Sequence, residues 1–226
     1  NESLRPNTIE ETYELAQALL DGKNDEIRKE LGDVLLHVLF YSRIGDEKGE
    51  FDIADVADAL NRKLIFRHPH VFGETHVDDA HQVEQNWEQI KLKEKDGNRS
   101  ILAGVPGALP ALVKAFRIQE KAANAGFDWE DAADVWGKVQ EEISEVSEAV
   151  ASGRSEDIEA EFGDLLFSVI NAARLYKVNP ENALERTNRK FISRFNYIEE
   201  SAKAAGRRLN ELSLEEMEAL WQEAKQ

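Results

Sequence analysis

Glu161-Phe162-Gly163-Asp164-Leu165-Leu166-Phe167 sets two carboxylates and a glycine inside an apolar run, and Glu30-Leu31-Gly32-Asp33-Val34-Leu35-Leu36 does the same earlier in the chain. Each run is preceded by a second acidic pair, Glu142-x-x-Glu145 before the later copy and Glu11-x-x-Glu14 before the earlier one. In both copies 15 residues separate the inner Glu of the first pair from the Glu of the second. A constant offset of 131 residues relates the copies, and their flanks agree: Glu10-Glu11-Thr12-Tyr13-Glu14-Leu15 is similar to Glu141-Glu142-Ile143-Ser144-Glu145-Val146. A fixed offset held over such a length marks an internal duplication.

Outward from these runs the chain reads as helix after helix. Ile27, Leu31, Val34, Leu35, Val38 and Leu39 follow a helical period. Asn7 or Thr8 caps a helix to Asp21 that Gly22 stops, and Asn24 or Asp25 opens a longer one to Gly45. Asp52 caps a third to Arg67, where Pro69 in His68-Pro69-His70 breaks the chain. Asp78 or Asp79 starts a fourth, rich in Glu and Lys, that ends near Asp96-Gly97. The stretch from Gly97 to Pro110 reads as a linker. Helices then follow from Pro110 to Ala125, Asp134 to Ser152, Ser155 to Tyr176, Pro180 to Ala205 and Leu214 to Ala224, with a turn at Gly126-Phe127-Asp128-Trp129. No segment alternates as a strand would. The expected fold is all-α, with two tandem homologous helical bundles over residues 1–96 and 110–226 joined by a linker over 97–109. Phe162, Leu165, Leu166, Phe167, Val169 and Ile170 are expected in the core.

Glu142 and Glu145 are three apart and share a helix face, as do Glu161 and Asp164. The short link Gly153-Arg154-Ser155 makes their helices antiparallel neighbours, so four carboxylates converge. Converging anions repel one another and lose hydration. A divalent cation relieves both, and all-oxygen donors suit Mg²⁺ or Mn²⁺ rather than zinc. Glu11, Glu14, Glu30 and Asp33 give a second site by the same argument. A mid-helix glycine costs about 1 kcal/mol relative to alanine, so Gly-Asp kept twice inside an apolar helix points to a site. Lys190 and Arg194, four apart on the following helix, recur as Lys63 and Arg67. Such cations suit the metal-free side of a polyphosphate. Phe127, Trp129 and Trp221 offer rings on which a base could stack. His37 reads as a core or interface histidine and His76 and His81 as surface residues. His68 and His70, flanking a proline, read as structural rather than zinc-binding.

Composition narrows the function classes. The chain carries 28 basic and 45 acidic residues, a net charge of −17, which disfavours duplex nucleic acid and an anionic membrane surface. With no cysteine there is neither disulfide nor thiolate metal site, which fits a cytoplasmic protein. No apolar run reaches membrane-spanning length. The first residue is Asn1, which reads as a fragment or processed form that lacks an N-terminal piece.

The acidic spacing resembles that of the MazG family of nucleoside triphosphate pyrophosphohydrolases. Its acidic motif alone is shared with dimeric dUTPases and phosphoribosyl-ATP pyrophosphohydrolases. Arg67-His68-Pro69-His70-Val71-Phe72, Gly126-Phe127-Asp128-Trp129, Asn188-Arg189-Lys190-Phe191 and the tandem layout resemble two-domain bacterial MazG. The resemblance implies an all-α fold, dependence on Mg²⁺, a homodimer, and hydrolysis of nucleoside triphosphates to monophosphate and pyrophosphate. It implies metal ligands at Glu142, Glu145, Glu161 and Asp164, with Glu142 or Glu145 activating water. Phosphate contacts fall at Lys190 and Arg194, a nucleotide contact at Trp221, and a further contact at Lys138 near the site entrance. Two positions depart from the family pattern. Asp157 stands where the family often has a lysine, a role Arg154 could take over. The Cys-Pro-Trp-Asp-like segment that precedes the first acidic helix in the family is not in this sequence. The second half is therefore the expected main catalytic centre. Alternatives are a pyrophosphatase selective for non-standard nucleotides, and a helical interaction scaffold with solvated acidic faces.

Overall fold

A computed structural model describes residues 2–73 and 100–225. The chain divides into two compact units, Asn1–Ile90 and Lys91–Gln226. Among the described residues there is helix and no strand. The expected fourth helix, with His76 and His81, lies outside the described residues.

In the first unit, α1 (Arg5–Asp21) and α2 (Asn24–Glu47) form a hairpin that carries the first acidic set. The start of α1 differs from expectation. A 3₁₀ turn, Glu2–Leu4, leads into the helix at Arg5, with a proline in the first turn where its missing N–H costs nothing. Thr8 does not cap. Its hydroxyl donates back to the Leu4 carbonyl at 3.0 Å and lies 3.1 Å from Nδ1 of buried His37. Gly22, at φ 67°, closes α1 with its N–H on the Ala18 carbonyl, a left-handed position that glycine fills without strain. α3 (Ile53–Arg67) opens with a capping box in which Asp52 and Asp55 exchange backbone bonds. Pro69 ends α3 and also starts α4 (Pro69–Phe72), a single turn.

The second unit holds α5 (Ala111–Asn124), α6 (Val135–Ser152), α7 (Ser155–Leu175), α8 (Pro180–Ala204) and α9 (Leu214–Glu223). Within the stretch expected as linker, Leu102–Gly104 forms a 3₁₀ turn. Gly153, 131 residues after Gly22, repeats the left-handed stop at φ 71° and turns α6 back onto α7. Val135, Val139 and Ala172 form the centre of the α6–α7 contact, with Leu165 and Leu175 against them. Asn179 caps α8 and Ser213 caps α9.

The core expectation needs correction. Ile170 is buried and Leu165 half-buried, but Phe162, Phe167 and Val169 are exposed and Leu166 is 62% exposed. Leu31, Leu35, Leu36 and Val38 are likewise exposed. A helix buries the stripe facing its hairpin partner, and these residues form the other apolar stripe of α2 and α7. A Cβ added at Gly32 or Gly163 would meet nothing within 4 Å, so no close neighbour in the chain requires glycine there.

Candidate active site

In the second unit the hairpin brings Glu142 and Glu145 of α6 and Glu161 of α7 together, with one carboxylate oxygen from each within 4.8 Å of the others. Asp164, exposed and one turn further along α7, is outside that trio. Glu142 is only 4% exposed. Its Oε1 accepts from Lys138 Nζ at 2.8 Å, and its Oε2 has no hydrogen-bond partner among the described residues. Lys138 also donates to Glu141 at 3.0 Å, and these two hydrogen bonds push its ammonium above the usual lysine range. Removal from water raises the Glu145 carboxyl above its ordinary value. A hydrogen bond shared with Glu142 and the charges of Glu142 and Glu161 add to this, and Lys138 offsets part. The trio is rich in oxygen and short of positive charge, with an orphaned buried oxygen at its centre. This donor set fits a hard divalent cation.

The first unit repeats the arrangement with different emphasis. Glu11, Glu14 and Glu30 offer oxygens within 4.8 Å of one another, and Asp33 is outside the trio. The buried member is Glu30, not the counterpart of Glu142. Lys29 donates to its Oε1 at 2.9 Å and its Oε2 has no partner among the described residues. Desolvation raises the Glu14 carboxyl, helped by the charges of Glu30, Glu11 and Glu10. A cleft of about 460 Å³ beside the trio is bordered by Tyr13, Gln17 and Lys23.

The remaining expected residues fall in different settings. Lys190 is exposed and forms no ion pair among the described residues. Arg194, half-buried, lies over the Trp221 ring with its guanidinium carbon 5.4 Å from the ring centre, while Phe191 flanks the same ring at 5.1 Å. Lys63 is exposed and Arg67 half-buried on α3. Arg154, the expected substitute for the missing lysine, is instead paired with Asp157, the residue standing in that lysine's place. His68 and His70 have ring centres 5.6 Å apart, and neither belongs to a metal-competent cluster among the described residues.

Sequence reading missed a cavity of about 530 Å³ in the second unit, between α5, the Gly126–Trp129 turn and α7. Arg174 clamps the turn, donating through both terminal nitrogens to Asp128, 2.9 Å for the Nη1–Oδ2 contact. Those bonds hold the Asp128 carboxyl below the usual range. The signal available in sequence was an aspartate between two aromatic residues and an arginine at the end of an apolar helix.

The chain matches the family model described as the MazG nucleotide pyrophosphohydrolase domain twice, over residues 1–72 and 130–198. It is similar to the nucleoside triphosphate pyrophosphohydrolase/pyrophosphatase MazG of Thermotoga maritima, 45% identical across all of this chain and 86% of that protein. It is also similar to the nucleoside triphosphate pyrophosphohydrolase of Escherichia coli K12, 41% identical over 99% of this chain and 86% of that protein. An uncharacterised Bacillus subtilis protein, YabN, is 49% identical over this whole chain and 47% of its own length. Both halves carry the family's domain and near-complete relatives share it, so the chain belongs to the MazG nucleotide pyrophosphohydrolase family.

Proposed function

We propose that this chain hydrolyses nucleoside triphosphates to nucleoside monophosphate and pyrophosphate, with the second unit as the main catalytic centre and Mg²⁺ as the cation. The observation that carries this reading is the trio Glu142, Glu145 and Glu161 around a buried, orphaned carboxylate oxygen, in a chain whose family acts on nucleotides. Glu142, Glu145 and Glu161 would hold the cation, joined by Asp164 from one turn along α7. Such a cation would supply charge neutralisation for the phosphates and the leaving group. Water attacks the α-phosphorus, a new P–O bond forms, and the bond to the bridging oxygen breaks as pyrophosphate leaves. The water's proton passes to the Glu142–Glu145 pair, of which Glu145 is the less buried member. Lys190, Arg194 and Lys138 neutralise phosphate oxygens, and Trp221 with Arg194 over its ring forms a nucleotide contact. The exposed stripe of α7, repeated on α2, supports a homodimer in which a second copy covers it. A cytoplasmic location suits both the substrate class and a chain without cysteine.

Incubating the purified chain with each nucleoside triphosphate and Mg²⁺, then separating the products, tests the reaction. Monophosphate plus pyrophosphate is expected, whereas diphosphate plus inorganic phosphate would refute it. Glu161→Ala and Asp164→Ala should each abolish pyrophosphate release with helix content unchanged by circular dichroism. Full activity in either would remove that residue from the site.

A further inference from the structure

A cation held between the two helices of a hairpin needs an oxygen from each helix. In the second unit α6 offers Glu145 and α7 offers Glu161, and neither forms an ion pair among the described residues. Lys138 reaches Glu142 by the ordinary four-residue step along α6, and its other partner, Glu141, is outside the trio. Its ammonium can therefore stay on Glu141 while a cation enters.

The first unit is built the other way. From α2 the trio has Glu30 alone, and Lys29 holds its Oε1 at 2.9 Å. Residues three or four apart on a helix face one another, whereas adjacent ones point apart. Asp25, Glu26 and Asp33 all stand at those favourable steps from Lys29. Its ion pair among the described residues is nevertheless with the adjacent Glu30, so its stem bends toward the trio. That hydrogen bond and the Glu30 charge hold the ammonium above the usual lysine range, and the charges of Asp33 and of Glu14 on the opposite helix add to this. Glu30 is 4% exposed, and its Oε2, without a partner among the described residues, is the oxygen left for a cation. A divalent ion on Oε2 and an ammonium on Oε1 would be like charges on one buried carboxylate, where water screens them poorly. Glu30 needs one cation beside it, because a buried carboxylate without one is costly. Two at once repel.

We propose that Lys29 is a tethered counter-ion that competes with the divalent cation for Glu30, so that the first acidic site fills only at a higher metal concentration than the second. The proposal rests on the cation reading of the acidic trios and adds the residue that sets the two apart. The counterpart of Lys29 is Ala160, which leaves Glu161 open. The Lys29 side chain is 65% exposed, so a displaced ammonium swings into water and not into the protein interior. Repeated carboxylates then respond to two metal concentrations, and the first unit changes state only where the ion is plentiful enough to drive Lys29 off.

The test is calorimetric titration of the full chain with Mn²⁺ alone, without nucleotide. Glu145→Gln with Glu161→Gln leaves the first site as the one measured, and Glu11→Gln with Glu14→Gln leaves the second. In the first background Lys29→Met should tighten Mn²⁺ binding by about fivefold. In the second it should change nothing, whereas Ala160→Lys, which sets an ammonium beside Glu161, should weaken binding by a similar factor. Lys29→Met also strips the buried Glu30 of its cation, so Mn²⁺ should raise the melting temperature of that variant more than that of the chain with Lys29. Unchanged or weaker binding in Lys29→Met overturns the competition, as does an absence of binding at the first site with and without Lys29. Binding at the second site in that last case would leave the cation reading there standing. Binding at neither site would sink both.

Discussion

Replacing Asp128 by Asn probes the clamp that shapes the cavity wall. Asp128 accepts from both terminal nitrogens of Arg174 and from the Trp129 backbone N–H at 2.9 Å. The arginine side chain is 12% exposed and the aspartate 30%, so water screens the pair only in part. Asn keeps one acceptor but turns an NH₂ toward the guanidinium, losing one charge-assisted bond and the attraction between the charges. A hydrogen bond to a charged group contributes about 1.5–3 kcal/mol; discounted for partial exposure, the substitution should cost about 2 kcal/mol. For a chain of this size that lowers Tm by about 4–8 °C. The pH dependence fixes the cause. The folded Asp128 carboxyl lies below its ordinary value, so its stabilisation is complete above about pH 4 and disappears as pH falls through the depressed value. Calorimetric scans of both proteins should show the full gap at pH 7 and a closing gap below pH 4. A variant within about 0.5 kcal/mol of wild type at pH 7, the usual range for an inconsequential surface change, or a gap that persists unchanged into acid, would refute the reasoning.

Glu145 gives the opposite sign. Its carboxyl is raised by desolvation and by its acidic neighbours, so the metal-free protein should lose stability as pH rises through that value. Added Mg²⁺ should bind more tightly over the same rise, because its ligands must be deprotonated. Thermal scans from pH 4 to 8 with and without Mg²⁺ check this, and a Mg²⁺ effect independent of pH would count against the trio as ligands. Leu166→Glu places a charge in the exposed stripe of α7. Light scattering should show wild type at twice 25.6 kDa and the variant at the single-chain mass with its helix content kept. A variant that stays paired would put the interface elsewhere.

What could be read in sequence was local. Gly22 and Gly153 stop their helices because the left-handed backbone there favours glycine, and Asp52, Asn179 and Ser213 cap because their oxygens reach the first free N–H groups. The acidic spacing was legible in part for the same reason, since residues three apart share a helix face and the hairpin brings three carboxylates of each set together, while Asp33 and Asp164 stay outside. Three features were not legible. Helical periodicity marks apolar stripes on α2 and α7 but not which stripe its partner covers, and so Phe162 and Leu166 were misplaced. A proline inside the first turn moved the start of α1 ahead of the residues that looked like caps. The cavity depends on contacts such as Gln119 with Phe167, 48 residues apart, and no local pattern encodes that pairing.

The two acidic sites also show how far a duplication constrains chemistry. Position 29 is Lys, and its counterpart 160 is Ala; position 138 is Lys, and its counterpart 7 is Asn. Each site has therefore recruited its own lysine. Lys29 neutralises the third acid of the first set, and Lys138 neutralises the first acid of the second set. The neutralised acid is also the buried one in each case, Glu30 and Glu142. This is the expected coupling, because a carboxylate can leave water only where a cation or a set of donors accompanies it. The charge left over then differs. Glu11 and Glu14 face Glu30 in the first unit, whereas in the second Glu145 and Glu161 face a Glu142 whose lysine is shared with Glu141. Identical carboxylates at identical spacing thus carry two different distributions of charge, set by residues that the repeated motif does not include.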